Sequence, residues 1–458
     1  MTNTKLLVDT NSEYWIKTLP NMQGNIVKHH GRHHAYHIFI QFDTTKKTAI
    51  KKWISSLPIT DSYTQLKDTE RYKQLTAIDK KTTDEQQQLN NLKTKVVQFF
   101  FLSNSGYKAL ELNNSKLTDV AFTAGMQKRK QILNDTDVKD WDLLSGTKGT
   151  IDALLIIASN NVLSLTMQIA ALNTAIKAKG IKILHTQKGE ILKNENGLGI
   201  EHFGYVDGIS QPIFIKEENE IIEIGKEWND LADIKQMALV QDVEGDVNAF
   251  GSYFVFRKLE QNVKAFKEAE KNLNLGEVGG AYIVGRFESG TPVVKFGEET
   301  VIKNESELDN DFNYKLKDSA TKCPFHAHIR MTNPRDLQPE KPIRIVRRGI
   351  PYDDAGRANN LDWQPTNNVG LLFMCYAKSI VGQFEVIQGN WANNGTIFNT
   401  TVGIDGVIGQ GNNTVPQQYP LNWADEKTIQ YSKSFADFVT LQGGEYFFAP
   451  SITYLKSI

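Results

Sequence analysis

Cysteine is nearly absent from this 458-residue chain, which carries only Cys323 and Cys375. Two thiols can form at most one disulfide, and a chain this long buries enough surface not to depend on one, so both are read as reduced. A surplus of one charge sign is missing too. The 52 lysines and arginines face 53 aspartates and glutamates, which excludes the basic stripe needed to track a phosphate backbone. Nucleic acid is not an expected partner. Long hydrophobic runs are also lacking: the N-terminus has no more than three apolar residues in a row, too few for the core of a signal peptide. The apolar run from Ala153 to Ser159 is far too short to cross a bilayer. No membrane partner is expected, and the expected location is the cytoplasm.

What is present is an ordinary globular composition, 40% hydrophobic and 23% charged. A prior of roughly 150 residues per domain allows two or three units, and two are expected here, residues 1–215 and 216–458. The first half reads as strand, helix, strand, strand, helix, strand. Strands are expected at His37–Phe42, Val96–Leu102, Ile151–Ser159 and Ile181–His185, and helices at Tyr107–Leu112 and Leu163–Lys179, the latter stopped by Gly180. The second half repeats this order without repeating the sequence. Its expected strands are Ser252–Arg257, Ile343–Arg347, Gly370–Tyr376 and Gly444–Phe448, and its helices Val263–Leu273 and Ser379–Gln388. The fold class is therefore α+β, two tandem ferredoxin-like domains with antiparallel sheets. Residues 60–95 and 300–320 read as solvated helices or loops.

Histidine is scarce, and five of the nine fall between His29 and His37. Such a cluster invites a transition metal, but Gly31 breaks any helix that would align it and no Cys or carboxylate lies within the run. Chemistry is better sought from Thr321 to Arg335, where Cys323-Pro324, His326, His328, Arg330 and Arg335 crowd between prolines. An imidazole or a Cys-Pro thiolate can hold haem iron, and arginines can neutralise propionates. On spacing alone Cys323, His326 and His328 all remain open as ligands, and a proline-bounded turn with solvated histidines is the alternative. In Glu201-His202-Phe203-Gly204-Tyr205-Val206-Asp207-Gly208-Ile209-Ser210-Gln211-Pro212, one carboxylate sits between glycines that let backbone approach a ligand. By itself that pattern is also met by a turn in which Asp207 caps its own backbone.

Together these segments resemble the dye-decolourising peroxidase family, and the resemblance runs along nearly the whole chain. It takes in Gln23–Lys28, Phe122–Met126, Glu201–Pro212, Gly251–Gln261, Val284–Arg286, Ser289–Pro292, Cys323–Arg335, Arg347–Tyr352 and Leu441–Ser451. The resemblance implies one haem b per chain in the C-terminal half, His328 as axial iron ligand and Arg330 near a propionate. Gly208, Ile209 and Ser210 would contact the cofactor, and Leu371 and Phe373, alternate residues of a strand, would form an apolar wall. Asp207 and Arg347 would be the catalytic pair on the distal face, and Glu385 the acceptor for the other nitrogen of His328. It implies hydrogen peroxide as oxidant and bulky aromatic reductants such as dyes and phenols; a homodimer is the candidate assembly. Tyr352, five residues past Arg347, is the candidate electron relay for reductants too large to reach the haem. His326, Met331 and Asp353 depart from the family pattern, which bears on the propionate pocket and the substrate entrance. A haem store or carrier would need the same ligand but neither Asp207 nor Arg347, and their joint presence favours the enzyme.

Overall fold

A computed structural model describes residues 7–458 apart from 145–148, 177, 220–226, 229, 315–319, 336–342, 398–399, 412–414 and 432–434. Eight strands form its frame: β1 (His34–Phe42), β2 (Val97–Ser103), β3 (Ala153–Ser159), β4 (Ile181–Glu190), β5 (Phe250–Gln261), β6 (Ile350–Asp353), β7 (Val369–Ala377) and β8 (Val439–Ala449). They pair antiparallel in the order β6-β7-β5-β8-β2-β3-β1-β4. Within each half this is the ferredoxin-like order, with the first strand of the unit between its third and fourth. The two sheets are one, because β8 pairs with both β5 and β2. The ends of the path meet as well: a Cβ on Gly189 of β4 would lie 2.7 Å from Ile350 Cγ2 of β6, and Gln187 Nε2 donates to Asp354 Oδ1 at 3.1 Å. The strands thus close into a barrel.

Strand periodicity divides the apolar residues into an inner and an outer layer. Phe39, Phe99, Phe101, Leu154, Ile156, Phe254, Phe256, Tyr376 and Phe447 fill the inside as one cluster drawn from both halves. Phe101 stacks on Phe254 with ring centroids 4.3 Å apart. Their neighbours Ile38, Ile40, Phe100, Leu155 and Ile157 point outward. There they meet the apolar stripes of helices α1 (Lys47–Ser55) and α4 (Val162–Ile176), whose Ile50, Trp53, Leu165 and Leu172 are buried. Between these helices, α2 (Ser62–Thr76) and α3 (Thr83–Thr94) occupy the segment read as solvated, α3 opening with a Thr82–Glu85 capping box.

Several expected boundaries move. The first half's short helix is Asn104–Ala109, three residues earlier than expected, because Ser103 Oγ caps it by accepting from Gly106 N. The strand expected over Ile343–Arg347 shrinks to Val346–Arg347, paired with β7, while β6 provides the second unit's missing strand. Ile380–Phe384 and Val386–Ala392 are π-helical, where an α-helix was expected. Residues 300–314 form loops with one 3-10 turn, and 315–319 lie outside the described residues. No helix among the described residues is long and apolar enough to cross a membrane.

Candidate active site

The outward face of the second unit is not closed by a helix. Leu259 and Gln261 of β5, with Leu371 and Phe373 of β7, form one wall of a cavity instead. Helices α5 (Val263–Asn272) and α6 (Glu277–Val284) flank it. Gly285 ends α6 at a φ of +98°, and a side chain there would collide with Ile329, so the glycine lets α6 pack directly on α7 (His328–Thr332). That contact seats His328 in the cavity wall.

Of the three candidate ligands only His328 lines this cavity. Cys323 is fully buried elsewhere and burial pushes its thiol up to about 11, so it is no thiolate at neutral pH. His326 packs against Tyr419 at 4.8 Å, and burial pushes it down to about 3. His328 Nδ1 lies 2.9 Å from Asp405 Oδ2, while Asp405 Oδ1 accepts from Val407 N and Ile408 N at 2.8 and 2.9 Å. A carboxylate so held fixes the Nδ1–H tautomer and leaves the Nε2 lone pair for a metal.

Glu385 does not have this role. Its carboxylate accepts from Arg129 Nε and Nη2 at 2.8 and 2.5 Å and from the Tyr446 hydroxyl at 3.1 Å. The role came from the resemblance alone; the stretch is π-helical, and Phe384, Ile387 and Gln388 line the cavity instead. Asp405 was missed. It stands in Gly403-Ile404-Asp405-Gly406, a carboxylate bracketed by glycines as Asp207 is, and that was the available signal.

Asp207 and Arg347 come together. Arg347 Nη1 donates to Asp207 Oδ1 at 2.9 Å and Nη2 to Ile209 O at 2.6 Å, and both side chains line the cavity, each about one-third exposed within it. Burial pushes the Asp207 carboxyl up, but the Arg347 charge and the Gly208 N–H at 2.6 Å hold it below its ordinary value. Ile209 and Ser210 line the cavity, Ser210 in the left-handed region at φ +66°, a conformation that strains a residue with a Cβ. Gly208, at φ +86°, contributes its N–H to Asp207 rather than a wall.

Arg330 is a second correction. It is absent from the cavity wall, donates to Cys323 O at 2.6 Å and stacks on Phe325 at 4.0 Å. Two residues along a helix is about 200° around it, so Arg330 faces away from the side His328 presents. Arg286, Arg335 and Arg344 line the cavity with Arg347. Burial pushes Arg286 down to about 10, with the Arg335 charge adding to the effect, and burial does the same to Arg344, where Asp230 opposes it. Arg257 lines the cavity too but is paired with Asp135, and the other four guanidiniums against the lining carboxylates of Glu201 and Asp207 leave a positive surplus that two propionates would neutralise, so this donor set fits haem.

His326, Met331 and Asp353, the departures from the family pattern, all lie outside the cavity wall. Tyr352 is 1% exposed inside the barrel, under the Lys258 ammonium at 4.9 Å, so no bulky reductant can touch it. The histidine run is dispersed, with His37 buried on β1 facing Gln187 O at 3.3 Å. Among the described residues no group of three His, Cys, Asp or Glu side chains could hold a metal ion.

Comparison with known proteins gives the same reading. The model of the DyP dimeric alpha+beta barrel domain matches residues 21–191, and that of the Dyp-type peroxidase C-terminal part matches 225–400. The chain belongs to the dye-decolourising peroxidase family. This peroxidase is 34% identical to the multifunctional dye peroxidase DyP2 of Amycolatopsis sp., over 96% of each chain. It is 29% identical to the dye-decolorizing peroxidase msp1 of Mycetinis scorodonius, over 78% of this chain and 75% of that one. The solved DyP-type peroxidase of Anabaena sp. superposes with a TM-score of 0.87 at 33% identity, covering 100% of this chain and 99% of the other. The chain is thus an oxidoreductase acting on hydrogen peroxide by haem-dependent catalysis.

Proposed function

We propose that this peroxidase holds one haem b in the cavity through His328 Nε2, and oxidises bulky aromatic reductants such as dyes and phenols by one-electron steps. The observation that carries the reading is the presence of two pairs in one cavity: an imidazole fixed by Asp405, and a carboxylate fixed by Arg347. When bound, haem supplies the two-electron reduction of hydrogen peroxide and the one-electron oxidations of the reductant. Arg286, Arg335 and Arg344, which line the cavity, would hold its propionates.

Asp207 accepts the proton of the inner peroxide oxygen and returns it to the outer one, which leaves as water. Arg347 cannot be that base, because a guanidinium stays protonated at any working pH. It balances the negative charge that develops on the departing oxygen and keeps Asp207 ionised. Leu371 and Phe373 keep the wall beside them apolar and dry, which strengthens both effects. A haem store or carrier has use for His328 and Asp405 but not for a carboxylate and a guanidinium aimed into the same cavity.

The test is the absorption spectrum of the haem-reconstituted protein before and after one equivalent of hydrogen peroxide. A Soret band that shifts on peroxide and returns on adding a phenol is expected. A band indifferent to peroxide would leave only the storage reading.

A further inference from the structure

The cavity wall contains a second carboxylate that the proposed chemistry does not use, that of Glu201. Its two oxygens are fully engaged. Oε2 accepts from Phe203 N at 2.9 Å and from Gln261 Nε2, and Oε1 accepts from Tyr205 N at 3.0 Å. Its backbone is engaged within the same loop: Glu201 N donates to Tyr205 O at 3.1 Å, and Gly204 N to Glu201 O at 2.9 Å. Asp207 follows two residues after Tyr205, and its own N–H donates to Gly199 O at 3.1 Å. The loop is therefore drawn into a closed knot around Glu201, and Asp207 leaves from its edge.

An ordinary turn is capped by a short Asp, Asn or Ser side chain reaching two residues on. Glu201 spans two and four residues ahead and also reaches out of the loop to Gln261, the last residue of β5. That link matters because of where Arg347 stands. Arg347 is placed by strand pairing, opposite Cys375 of β7, and β7 is the neighbour of β5 in the sheet. Both members of the Asp207–Arg347 pair are thus referenced to the same two strands, Arg347 through its backbone and Asp207 through Glu201 and Gln261.

Burying a carboxylate is costly unless donors meet it, and burial does push the Glu201 carboxyl up. Three donors compensate, two of them backbone N–H groups that would otherwise be stranded in the wall. We infer that Glu201 is a positioning residue for the peroxide step: its carboxylate ties the loop that carries Asp207 to the sheet that carries Arg347, and so fixes where the Asp207 carboxylate is aimed. This rests on the reading of Asp207 as the proton carrier.

Glu201→Gln keeps the size of the side chain but turns one acceptor into a donor facing an N–H, so one tie is broken. Stopped-flow mixing with hydrogen peroxide should show the rate constant falling about 10- to 100-fold, the scale on which a misplaced reacting group loses rate. Haem content, the resting Soret band and the KM for dye should stay as in the parent. The discriminating measurement is the double-mutant cycle with Asp207→Asn. Because Glu201 acts through Asp207, adding Glu201→Gln to Asp207→Asn should slow the reaction no further. An equal additional loss in both backgrounds would mean general damage to the cavity and overturn the inference. A parental rate in Glu201→Gln with a slow Asp207→Asn would overturn it too, while leaving the reading of Asp207 intact. A parental rate in Asp207→Asn would instead overturn that reading, and this inference with it. Gln261→Met cuts the same tie from the strand side and serves if Glu201→Gln does not fold; a smaller loss, again absent behind Asp207→Asn, is expected.

Discussion

The two halves of the barrel share one topology, but only the second leaves an outer sheet face open to the cavity; the first contributes Asp207 from the chain that follows β4. In the first, the outer face of β1 and β3 is filled by Ile38, Ile40, Leu155 and Ile157 and plugged by α1 and α4. In the second, the corresponding face presents Arg257, Gln261, Leu371 and Phe373 to a cavity, bounded by π-helical turns and a five-residue helix rather than a long amphipathic one. Sheet order does not decide which face becomes a site. What decides it is whether the covering helix brings enough apolar volume to close the face, a matter of side chains rather than of path.

Substitutions should therefore separate by place, costing function around the cavity and stability in the closed core. The largest effect belongs to His328→Ala, which should lose haem altogether, read as the Soret absorbance per protein; a normal band there with a lost band in His326→Ala would reverse the assignment. Next come Arg347→Leu and Asp207→Asn, each expected to slow the peroxide step by about a hundred- to ten-thousand-fold. Arg347→Leu should be the worse, since water can relay a proton but cannot replace a fixed charge.

The same variant sharpens the electrostatic side. With Arg347 present, Asp207 is held below its ordinary 3.8, so the ionised form persists as pH falls and is lost only below that value. Removing the cation leaves burial dominant, and the acid limb of the peroxide rate should move to higher pH; a limb that stays in place or moves lower would disprove the pairing. Smaller again, Asp405→Asn should weaken iron ligation by roughly 10- to 100-fold in haem retention, as loss of such a partner typically does, while Glu385→Gln leaves it unchanged. Competition for haem by apomyoglobin measures both. In the first half, Phe101→Ala should cost about 3–5 kcal/mol of stability by denaturant titration yet leave the peroxide rate of the folded protein untouched. A changed rate there would mean that the inner core and the cavity are coupled.

The strand signals were legible because short apolar runs rich in β-branched and aromatic residues mark β1, β2, β3, β5 and β7, with β2 and β3 buried on both faces. That Asp207, Arg347 and His328 belong to one site was legible through the motifs that contain them, and all three line one cavity. Arg330 and Glu385 were misjudged because both came from the resemblance alone, and a motif match does not show which way a side chain faces where the helix is five residues long or π-wound. Asp405 was hidden because a ligand's hydrogen-bond partner can lie anywhere in the chain, here 77 residues on. Arg335 was legible in the Thr321–Arg335 block, whereas Arg286 and Arg344 were hidden because arginine is common on surfaces and only burial distinguishes them. Barrel closure was not legible either, since Gly189 and Ile350 meet without any local signal.

That closure has a consequence for how the chain is made. β8 comes after every other barrel strand in sequence, yet it sits in the middle of the sheet, between β5 and β2. During synthesis both of those neighbours must wait with unpaired N–H and C=O groups along one side, and the aromatic interior behind them stays wet. Such open edges invite pairing with other chains. The most aggregation-prone moment in the life of this protein therefore falls late in its translation, and insertion of one strand ends it by shutting both edges together.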